Sequence, residues 1–314
     1  MSSAATPARV VRVVVVHHGD PAPTFAAIDA VLADTSSSQR RLVVVDNSGT
    51  LDPSRLPRGV LYLACPDNPG FGAAVHRGLE LLAGHGPILA LNHDVRVEPG
   101  FLDASVAALE APDPTGRGGR VGAAAGPLYL DRPGGRLWYA GGRVRWLTGT
   151  VVQNRDPGAA GRERDVGFLP GAALVVAAEA WGSVGGFDPS IFLYHEDVDL
   201  SLRLRRAGWR LRFEPAMVAV HPVGAATGSG EASPFYLEEL TATRLRPFRS
   251  PLHRLYLAVL HTGWVALRAL RYTLRRAPGD AVRVRALLRG HRRALTSFIG
   301  HGCRPGGIQS RRED

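Results

Sequence analysis

The chain of 314 residues has no lysine, two cysteines and no long apolar run. All 38 basic residues are therefore arginine, a bias that by itself indicates no function. Cys65 and Cys303 match neither a metal-ligand spacing nor a disulfide framework, so we expect plain thiols. No run approaches the roughly 20 apolar residues that span a bilayer. Residues 1–9 lack the charged leader and apolar segment of a secretory signal, so we expect a cytosolic protein.

The net charge of +10 is high enough to suggest nucleic-acid binding, so we consider how the charge is distributed along the chain. Residues 241–314 contain 16 Arg and 3 acids, a net charge of +13. Residues 1–240 contain the other 22 Arg and 25 acids, a net charge of −3. The basic character belongs to the tail, where no aromatic-interleaved platform or groove-reading motif accompanies it. We therefore expect no nucleic-acid partner.

The first third of the chain alternates short β-branched apolar runs with amphipathic segments. The runs are typical of strands that are buried on both faces of a parallel sheet, and the spacing of the segments predicts helices. The predicted strands are 10–16, 42–45, 60–64 and 88–91, and the predicted helices are 24–33, 71–83 and 99–110. This alternation predicts a doubly wound α/β sheet that binds its ligands beyond the carboxyl ends of the strands.

From residue 113 onward the pattern changes to short segments separated by Gly and Pro. These segments predict a mixed or antiparallel half, with a helix at 196–207 and strands at 121–130, 136–139, 143–152, 168–176, 209–213 and 217–220. From residue 234 the chain becomes helical and basic. We therefore expect one domain over 9–233 with halves 9–112 and 113–233, a basic helical extension over 234–301 and a frayed tail over 302–314.

Polar side chains follow the first two predicted strands, where a nucleotide lies in a doubly wound sheet. The first strand leads into His17, and the second leads into Asp46 and Asn47. Asp46 and Asn47 could shape a turn, because both residue types hydrogen-bond nearby backbone. A carboxylate here could equally accept the imide hydrogen of uracil or thymine. The residues alone leave these two roles of Asp46 open.

Two further motifs stand at the same predicted edge. The small residues of Asn68-Pro69-Gly70-Phe71-Gly72 begin a helix, where backbone N–H groups could approach a phosphate or a ribose. Asn92-His93-Asp94 follows a buried strand, so Asp94 could ligate a divalent cation or merely shape a turn. One carboxylate can suffice for Mg²⁺, because substrate phosphates supply further ligands.

Three acids crowd the start of the helix predicted over 196–207. Three acidic residues are more than favourable interaction with a helix N-terminus requires, and they are Glu196, Asp197 and Asp199. Asp199 can pair with Arg203, four residues further along the helix. An acid that faces the cleft can act as a general base. His221 ends another apolar strand and is either a satisfied histidine or a metal ligand.

Seven blocks, in this order and spacing, resemble the family-two glycosyltransferases and their bacterial rhamnosyltransferase-like branch in particular. The resemblance covers residues 9–225 approximately. The blocks are Val13–Val16, Val43–Asn47, Asn68–Ala74, Leu91–Val95, Gly171–Leu174, Gly185–Asp188 and Tyr194–Leu200. Two departures affect the expected donor contacts. His17-His18-Gly19 replaces the commoner Thr-Tyr-Asn-like ending, and Val75-His76 replaces an Asn-Asn pair.

The resemblance implies a GT-A fold, a nucleotide-diphosphate sugar donor, Mg²⁺ or Mn²⁺, and inversion at the anomeric carbon. It implies that residues 9–112 bind the donor and residues 113–233 bind the acceptor. Asp94 would bind the metal, with His221 completing the shell, and Asp197 would be the catalytic base, supported by Glu196. Asp46 would contact the base of the nucleotide. The other implied donor-binding residues are His17, Asn47, Asn68, Gly70, Phe71, Asn92 and Gly171.

The same resemblance favours dTDP-rhamnose as the donor, ahead of UDP-linked hexoses or galactofuranose. The acceptor would be a hydroxyl of a glycan, a lipid-linked glycan or a small molecule. Two other classes compete. A sugar nucleotidyltransferase would normally carry a Gly-rich loop with Arg and Lys after the first strand, where this chain has His17-His18-Gly19-Asp20. A non-catalytic basic adaptor would leave the acidic blocks unexplained.

The segment 252–274 places apolar residues among arginines in a basic amphipathic pattern. It predicts either a helix that packs on the domain with a solvated Arg face, or a surface that meets an anionic membrane. The membrane alternative fits a lipid-linked acceptor, since each Arg near such a surface contributes about 1 kcal/mol.

Overall fold

The computed structural model describes residues 10–112, 119–222 and 233–299 of the chain. Its first part alternates strands and helices as the sequence predicts. The elements are β1 (Val11–His17), α1 (Pro21–Ala33), β2 (Arg40–Asp46), β3 (Leu61–Ala64), α2 (Phe71–Glu80), β4 (Ile88–Asn92), β5 (Arg96–Val97) and α3 (Phe101–Glu110). Helix α1 begins at a proline and is capped by Asp20, whose side chain accepts the Ala22 N–H.

The middle part is rich in short strands, and the last part is helical. The middle elements are β6 (Val121–Ala125), β7 (Leu128–Tyr129), β8 (Leu137–Tyr139), β9 (Gly142–Arg145), β10 (Thr150–Gln153), β11 (Arg164–Asp165), β12 (Ala173–Val176), α4 (Ala178–Val184), α5 (Glu196–Arg206), β13 (Arg210–Phe213) and β14 (Ala219–Val220). The last elements are α6 (Pro234–Thr243), α7 (Pro251–Arg275) and α8 (Asp280–Ile299).

A mixed eight-stranded sheet in the order β11-β13-β6-β12-β4-β1-β2-β3 forms the centre of the fold. Strands β3, β2, β1 and β4 run parallel, while β12 is antiparallel to both β4 and β6. A second sheet joins β5, β14, β7 and β8, and β9 pairs with β10 in a hairpin. The predicted doubly wound half and the predicted mixed half are therefore both confirmed.

Burial on both sheet faces explains the continuous apolar runs. Val13 and Val15 belong to one core cluster, and Val14 and Val16 belong to the other. Successive side chains of a strand point to opposite faces, so a strand covered on both sides needs apolar residues at every position.

Several elements differ from the predicted pattern, and the segment predicted as one strand over 143–152 forms the two strands of the β9–β10 hairpin. The segment predicted as one strand over 121–130 divides into β6 and β7, because Gly126 and Pro127 interrupt the ladder. A side-chain carbon at Gly126 would lie 2.0 Å from the Met217 carbonyl oxygen, so the chain passes too close there for another residue. Helix α4 was not predicted, since its seven residues are too short to show a helical periodicity.

The C-terminal helices pack on the rest of the chain. Phe248 and Leu257 belong to the main core, and the His253 ring stacks on Trp146 of the β9–β10 turn at 4.3 Å between ring centroids. A smaller core cluster, made of Leu237, Val265, Ala286 and Leu287, joins α6, α7 and α8. Within the described residues, no helix has both the length and the apolar character needed to cross a membrane. Cys65 is a buried free thiol, as expected, and Cys303 lies outside the described residues.

Candidate active site

The carboxyl ends of the parallel strands bring the predicted polar residues to one edge of the sheet. The register sets His17 opposite Asp46 and Val16 opposite Asn92. The Asn92 N–H donates to the Ala172 carbonyl at 2.9 Å, which brings the segment before β12 to the same edge. A ligand at this edge would therefore meet residues from both halves of the sequence.

Asp46 is fully buried and holds the loop that follows β2. One of its oxygens accepts hydrogen bonds from the Ser48 and Gly49 N–H groups and the Ser48 hydroxyl, and the other accepts the Leu51 N–H and the Tyr62 hydroxyl. Burial opposes ionisation, but these donors together hold the Asp46 pKa below its usual range. The structure thus shows a loop-shaping role, and direct contact with a base stays a prediction.

His17 is also fully buried and links three segments. Its Nδ1 lies 2.6 Å from the Thr24 hydroxyl of α1, and its Nε2 lies 2.8 Å from the Thr50 hydroxyl. Burial lowers the pKa of His17 to about 4, so the ring is neutral at neutral pH. His93 packs edge-on against it at 5.6 Å between ring centroids. In this geometry His17 orders the loops around the edge of the sheet.

The turn before α2 fits closely against the segment that precedes the acidic helix. Gly70 has a φ of +90°, and a side-chain carbon there would lie 2.1 Å from the Phe192 carbonyl oxygen, so only glycine fits. The Phe71 N–H donates to that same oxygen at 3.1 Å. Asn68 also adopts a positive φ, of 42°, and the Asn47 amide donates to the Gly70 carbonyl at 3.4 Å. The turn thereby connects the predicted donor-binding residues to the acidic segment.

Asp94 and His221 meet, as the sequence analysis predicted for two metal ligands. His221 Nε2 lies 3.3 Å from Asp94 Oδ1, and both residues are 8% exposed. Burial alone would raise the pKa of Asp94, but the hydrogen bond and charge of His221 hold it below its usual value. The ring of Trp138 packs edge-on against His221, and His221 Nδ1 is buried without a hydrogen-bond partner.

The Asp94 carboxylate is an oxygen ligand of the kind that Mg²⁺ and Mn²⁺ prefer, and the His221 imidazole is a ligand that transition metals accept. In the described part of the chain, no group of three or more His, Cys, Asp or Glu residues could hold a metal ion. A cation at Asp94 and His221 would therefore need further ligands from a substrate. Diphosphate oxygens are such ligands.

Glu196 and Asp197 occupy the first turn of α5 in different environments. Asp197 is partly accessible; its Oδ2 accepts the Gly171 N–H at 3.0 Å and its Oδ1 accepts the Val198 N–H at 2.8 Å. Glu196 is 7% exposed, and its Oε2 is buried without a partner. Burial raises the pKa of Asp197 to about 6, and burial together with the charge of Asp197 raises that of Glu196 to about 8. The two backbone N–H groups that donate to Asp197 favour its ionised form, whereas Glu196 Oε2 has no such donor.

The backbone before these acids adopts a strained conformation. Tyr194 and His195 have φ values of 62° and 65°, which are uncommon for residues with side chains. Such outliers persist only where surrounding contacts fix them, and they concentrate at functional sites. Here His195 Nδ1 lies 3.0 Å from the Thr243 hydroxyl of α6, and the Tyr194 ring packs edge-on against Tyr236.

A buried ion-pair cluster fixes the same helix. Asp199 is fully buried and accepts from Arg203 Nε at 2.6 Å, which confirms the predicted pairing, and from Arg249 Nη2 at 2.7 Å. Arg249 also contacts Asp188 at 3.1 Å. The sequence analysis missed Arg249 and Thr243, because each contacts a residue about fifty positions away and no local pattern marks it. The helical extension thus helps to position the acidic segment.

Comparisons with known proteins identify the family. The model described as "Glycosyl transferase family group 2" matches residues 88–272. The chain is 32% identical over 310 residues to the N-acetylglucosaminyl-diphospho-decaprenol L-rhamnosyltransferase of Mycobacterium tuberculosis, a match that covers 88% of this chain and 90% of that relative. A shorter match, 43% identical over 56 residues, covers 18% of this chain and 21% of the rhamnosyltransferase WbbL of Escherichia coli.

Solved structures show the same fold at low sequence identity. The mannosyltransferase PcManGT from Pyrobaculum calidifontis, in complex with GDP-Man and Mn²⁺, is 18% identical with a TM-score of 0.52, and the match covers 91% of this chain and 87% of that chain. TarS from S. aureus is 13% identical with a TM-score of 0.51, covering 92% and 80%. The predicted GT-A type fold is thereby confirmed. The chain belongs to glycosyltransferase family 2 and is a nucleotide-sugar-dependent glycosyltransferase.

Proposed function

We propose that this glycosyltransferase requires a divalent cation, held by Asp94 and His221, and inverts the anomeric carbon in a single displacement with Asp197 as the base. The observation that carries the proposal is one chain of contacts across the edge of the sheet. Asn92 at the end of β4 bonds to Ala172, and the adjoining Gly171 donates to Asp197. Gly171–Ala172 thus links the strand end that precedes Asp94 to the Asp197 carboxylate, which supports the proposal.

The donor would lie along this edge with its diphosphate towards Asp94. The base of the nucleotide would lie against the loop that Asp46 holds, with His17 and Asn47 fixing the surrounding backbone. Asn68, Gly70, Phe71, Asn92 and Gly171 would line the path between base and sugar. A bound Mg²⁺ or Mn²⁺ would offset the charge that develops on the diphosphate as the anomeric bond breaks, so departure of the leaving group needs no protein acid.

Asp197 would take the proton from the acceptor hydroxyl. Its raised pKa makes it a stronger base than an ordinary aspartate while leaving it ionised at neutral pH. The Gly171 and Val198 N–H groups hold the carboxylate in place. Glu196, which remains protonated to higher pH, would donate a hydrogen bond to a substrate hydroxyl. Attack from the face opposite the leaving group inverts the configuration.

For the substrates we propose dTDP-rhamnose and a lipid-linked glycan. The M. tuberculosis relative is named as an L-rhamnosyltransferase that acts on N-acetylglucosaminyl-diphospho-decaprenol, and its match extends over most of both chains. A lipid-linked acceptor also agrees with the surface of α7. Arg271 and Arg275 of α7 are exposed, and Arg254 and Arg268 are half-buried. The exposed apolar residues of the helix are Leu252, Leu255, Tyr256, Val259, Leu260, Leu267, Leu270 and Leu274.

We propose that this α7 surface meets an anionic membrane. Leu257, Ala258, His261 and Val265 of the same helix are buried, so α7 packs on the protein with one face and leaves the other open. The packing alternative of the sequence analysis thus holds for one face only. In the test, wild-type protein should sediment with anionic but not neutral liposomes and should be released as salt rises. Equal recovery from anionic liposomes and liposome-free buffer would refute the membrane role.

Calorimetric titration of a panel of nucleotide sugars, with and without Mn²⁺, tests the main proposal. We expect metal-dependent binding that is strongest for dTDP-rhamnose and that Asp94→Ala abolishes without unfolding the protein. Asp29→Ala is the matched control, because Asp29 is an exposed aspartate of α1 outside the site. Donor affinity that is the same in wild type and Asp94→Ala, with Mn²⁺ present, would refute the metal assignment.

A further inference from the structure

A cavity of about 210 Å³ lies between the β9–β10 turn, the start of α7 and the segment that joins α6 to α7. It is far larger than the about 10–15 Å³ that one water molecule needs. Thr150, Arg244, Leu257, Leu260, His261 and Trp264 are among the residues that line it. None of these residues belongs to the candidate active site.

Arg244 brings a positive charge to this cavity without a matching carboxylate. Burial lowers the pKa of its guanidinium. Its contacts are a hydrogen bond from Nη2 to the Thr150 hydroxyl at 3.4 Å and the face of the Trp264 ring at 5.3 Å. Among the described residues no acid forms an ion pair with it, whereas Asp199 in the neighbouring cluster has two arginines. A half-buried guanidinium without an anion is costly, and a bound anion would offset that cost.

His261 supplies a second, independent sign of a ligand. It lines the cavity at 2% exposure, and neither of its ring nitrogens has a hydrogen-bond partner. Its ring contacts are the stacked Trp264 and the edge-on His291, and neither contact is a hydrogen bond to a His261 ring nitrogen. A buried donor without a partner costs about 1–3 kcal/mol, so a ligand that accepts from His261 would be favoured.

Apart from Thr148 and Thr150, the remaining lining is apolar or glycine, and its apolar part continues to the surface. Leu257 is buried, while Leu260 is 41% exposed and adjoins the exposed Val259. A ligand seated at Arg244 and His261 would therefore leave the cavity along the apolar face of α7. We propose that this cavity binds the phosphate or diphosphate group of an amphiphile whose hydrocarbon tail lies along α7.

A lipid-linked acceptor carries a phosphate or diphosphate group, so the identity of this ligand rests on the proposed function. The cavity also adjoins the acidic segment. Arg244 directly follows Thr243, whose hydroxyl contacts His195 at the start of α5. A ligand held at Arg244 would thus be anchored next to the helix that carries the proposed base.

The test uses the full chain without divalent cations, which removes the metal-dependent donor site from the measurement. The probes are farnesyl diphosphate, inorganic pyrophosphate and farnesol, titrated by calorimetry. We expect farnesyl diphosphate to bind at least tenfold more tightly than pyrophosphate, and farnesol not to bind. Arg244→Gln should weaken farnesyl diphosphate binding at least tenfold. Arg58→Gln, at an exposed arginine in the loop before β3, is the matched control and should change nothing.

Trp264 fluorescence gives a second readout that does not depend on the fold of Arg244→Gln. Farnesyl diphosphate should change the emission of wild-type protein, and Trp264→Phe should remove that change. Equal affinity of wild type and Arg244→Gln, or no binding of farnesyl diphosphate, would overturn the site. If pyrophosphate binds as tightly as farnesyl diphosphate, the ligand is not an amphiphile and the cavity is a site for free phosphate groups. Metal-dependent hydrolysis of the donor is measured separately. Absence of farnesyl diphosphate binding would refute the cavity site alone, whereas absence of donor hydrolysis would refute the proposed function.

Discussion

Replacing Asp199 by Asn tests whether the helical extension positions the acidic helix. The change keeps the shape of the side chain and removes its charge, which leaves Arg203 without its carboxylate and Arg249 with Asp188 alone. Breaking a buried pair costs about 3–5 kcal/mol. The side chain of Asp199 is fully buried, but that of Arg249 is 46% exposed and can recover water, so we expect the lower end, about 3 kcal/mol.

The assay is urea unfolding followed by circular dichroism, with Asp67→Asn as the control. Asp67 also accepts two arginine hydrogen bonds, both from Arg77 at 2.8 Å, but its side chain is 56% exposed. An exposed pair contributes about 0–1 kcal/mol, so Asp67→Asn should barely change the free energy of unfolding. Turnover should also fall in Asp199→Asn alone, because Asp199 lies two residues from Asp197. Equal stability losses in the two variants would refute the reasoning.

Two further results follow from the site. Turnover at saturating donor should rise with pH through about 6, because the Asp197 carboxylate must lose its proton before it can act as a base, and a pH–rate profile without this limb would contradict the assignment. Gly70→Ala should destabilise the protein by about 1–3 kcal/mol and raise the KM for the donor, because the new methyl group would overlap the Phe192 carbonyl at a positive φ. Gly182→Ala is its control; no atom lies within 4 Å of the new methyl group there, so thermal unfolding should show no loss of stability.

The sequence predicted the doubly wound half well because its signal is local. The buried centre of β1, β2 and β4 is in each case a run of apolar residues, and each of these strands ends in a polar residue whose place at the sheet edge follows from the parallel topology. The Asp94–His221 contact joins residues 127 positions apart, and it was predicted only through the family resemblance. The pattern of residues would not have distinguished His221 from an ordinary satisfied histidine.

Several features that the sequence could not decide depend on packing between distant segments. Asp46 could have shaped a turn or faced a base, and only the five donors around its oxygens show the loop-shaping role. The amphipathic pattern of 252–274 could not separate packing from exposure, because α7 combines both on different faces. Arg244 is one of 38 arginines, and only the cavity distinguishes it.

The central claim is that Asp197 is the catalytic base, and turnover of Asp197→Asn beside Glu196→Gln tests it most directly. Asn keeps the shape of the side chain and removes its basicity. We expect Asp197→Asn to lower turnover by about a hundred- to ten-thousand-fold, the usual range for a positioned base, with donor affinity little changed. Glu196→Gln should lower turnover far less. If Glu196→Gln proves much the more damaging of the two, the base has been assigned to the wrong carboxylate.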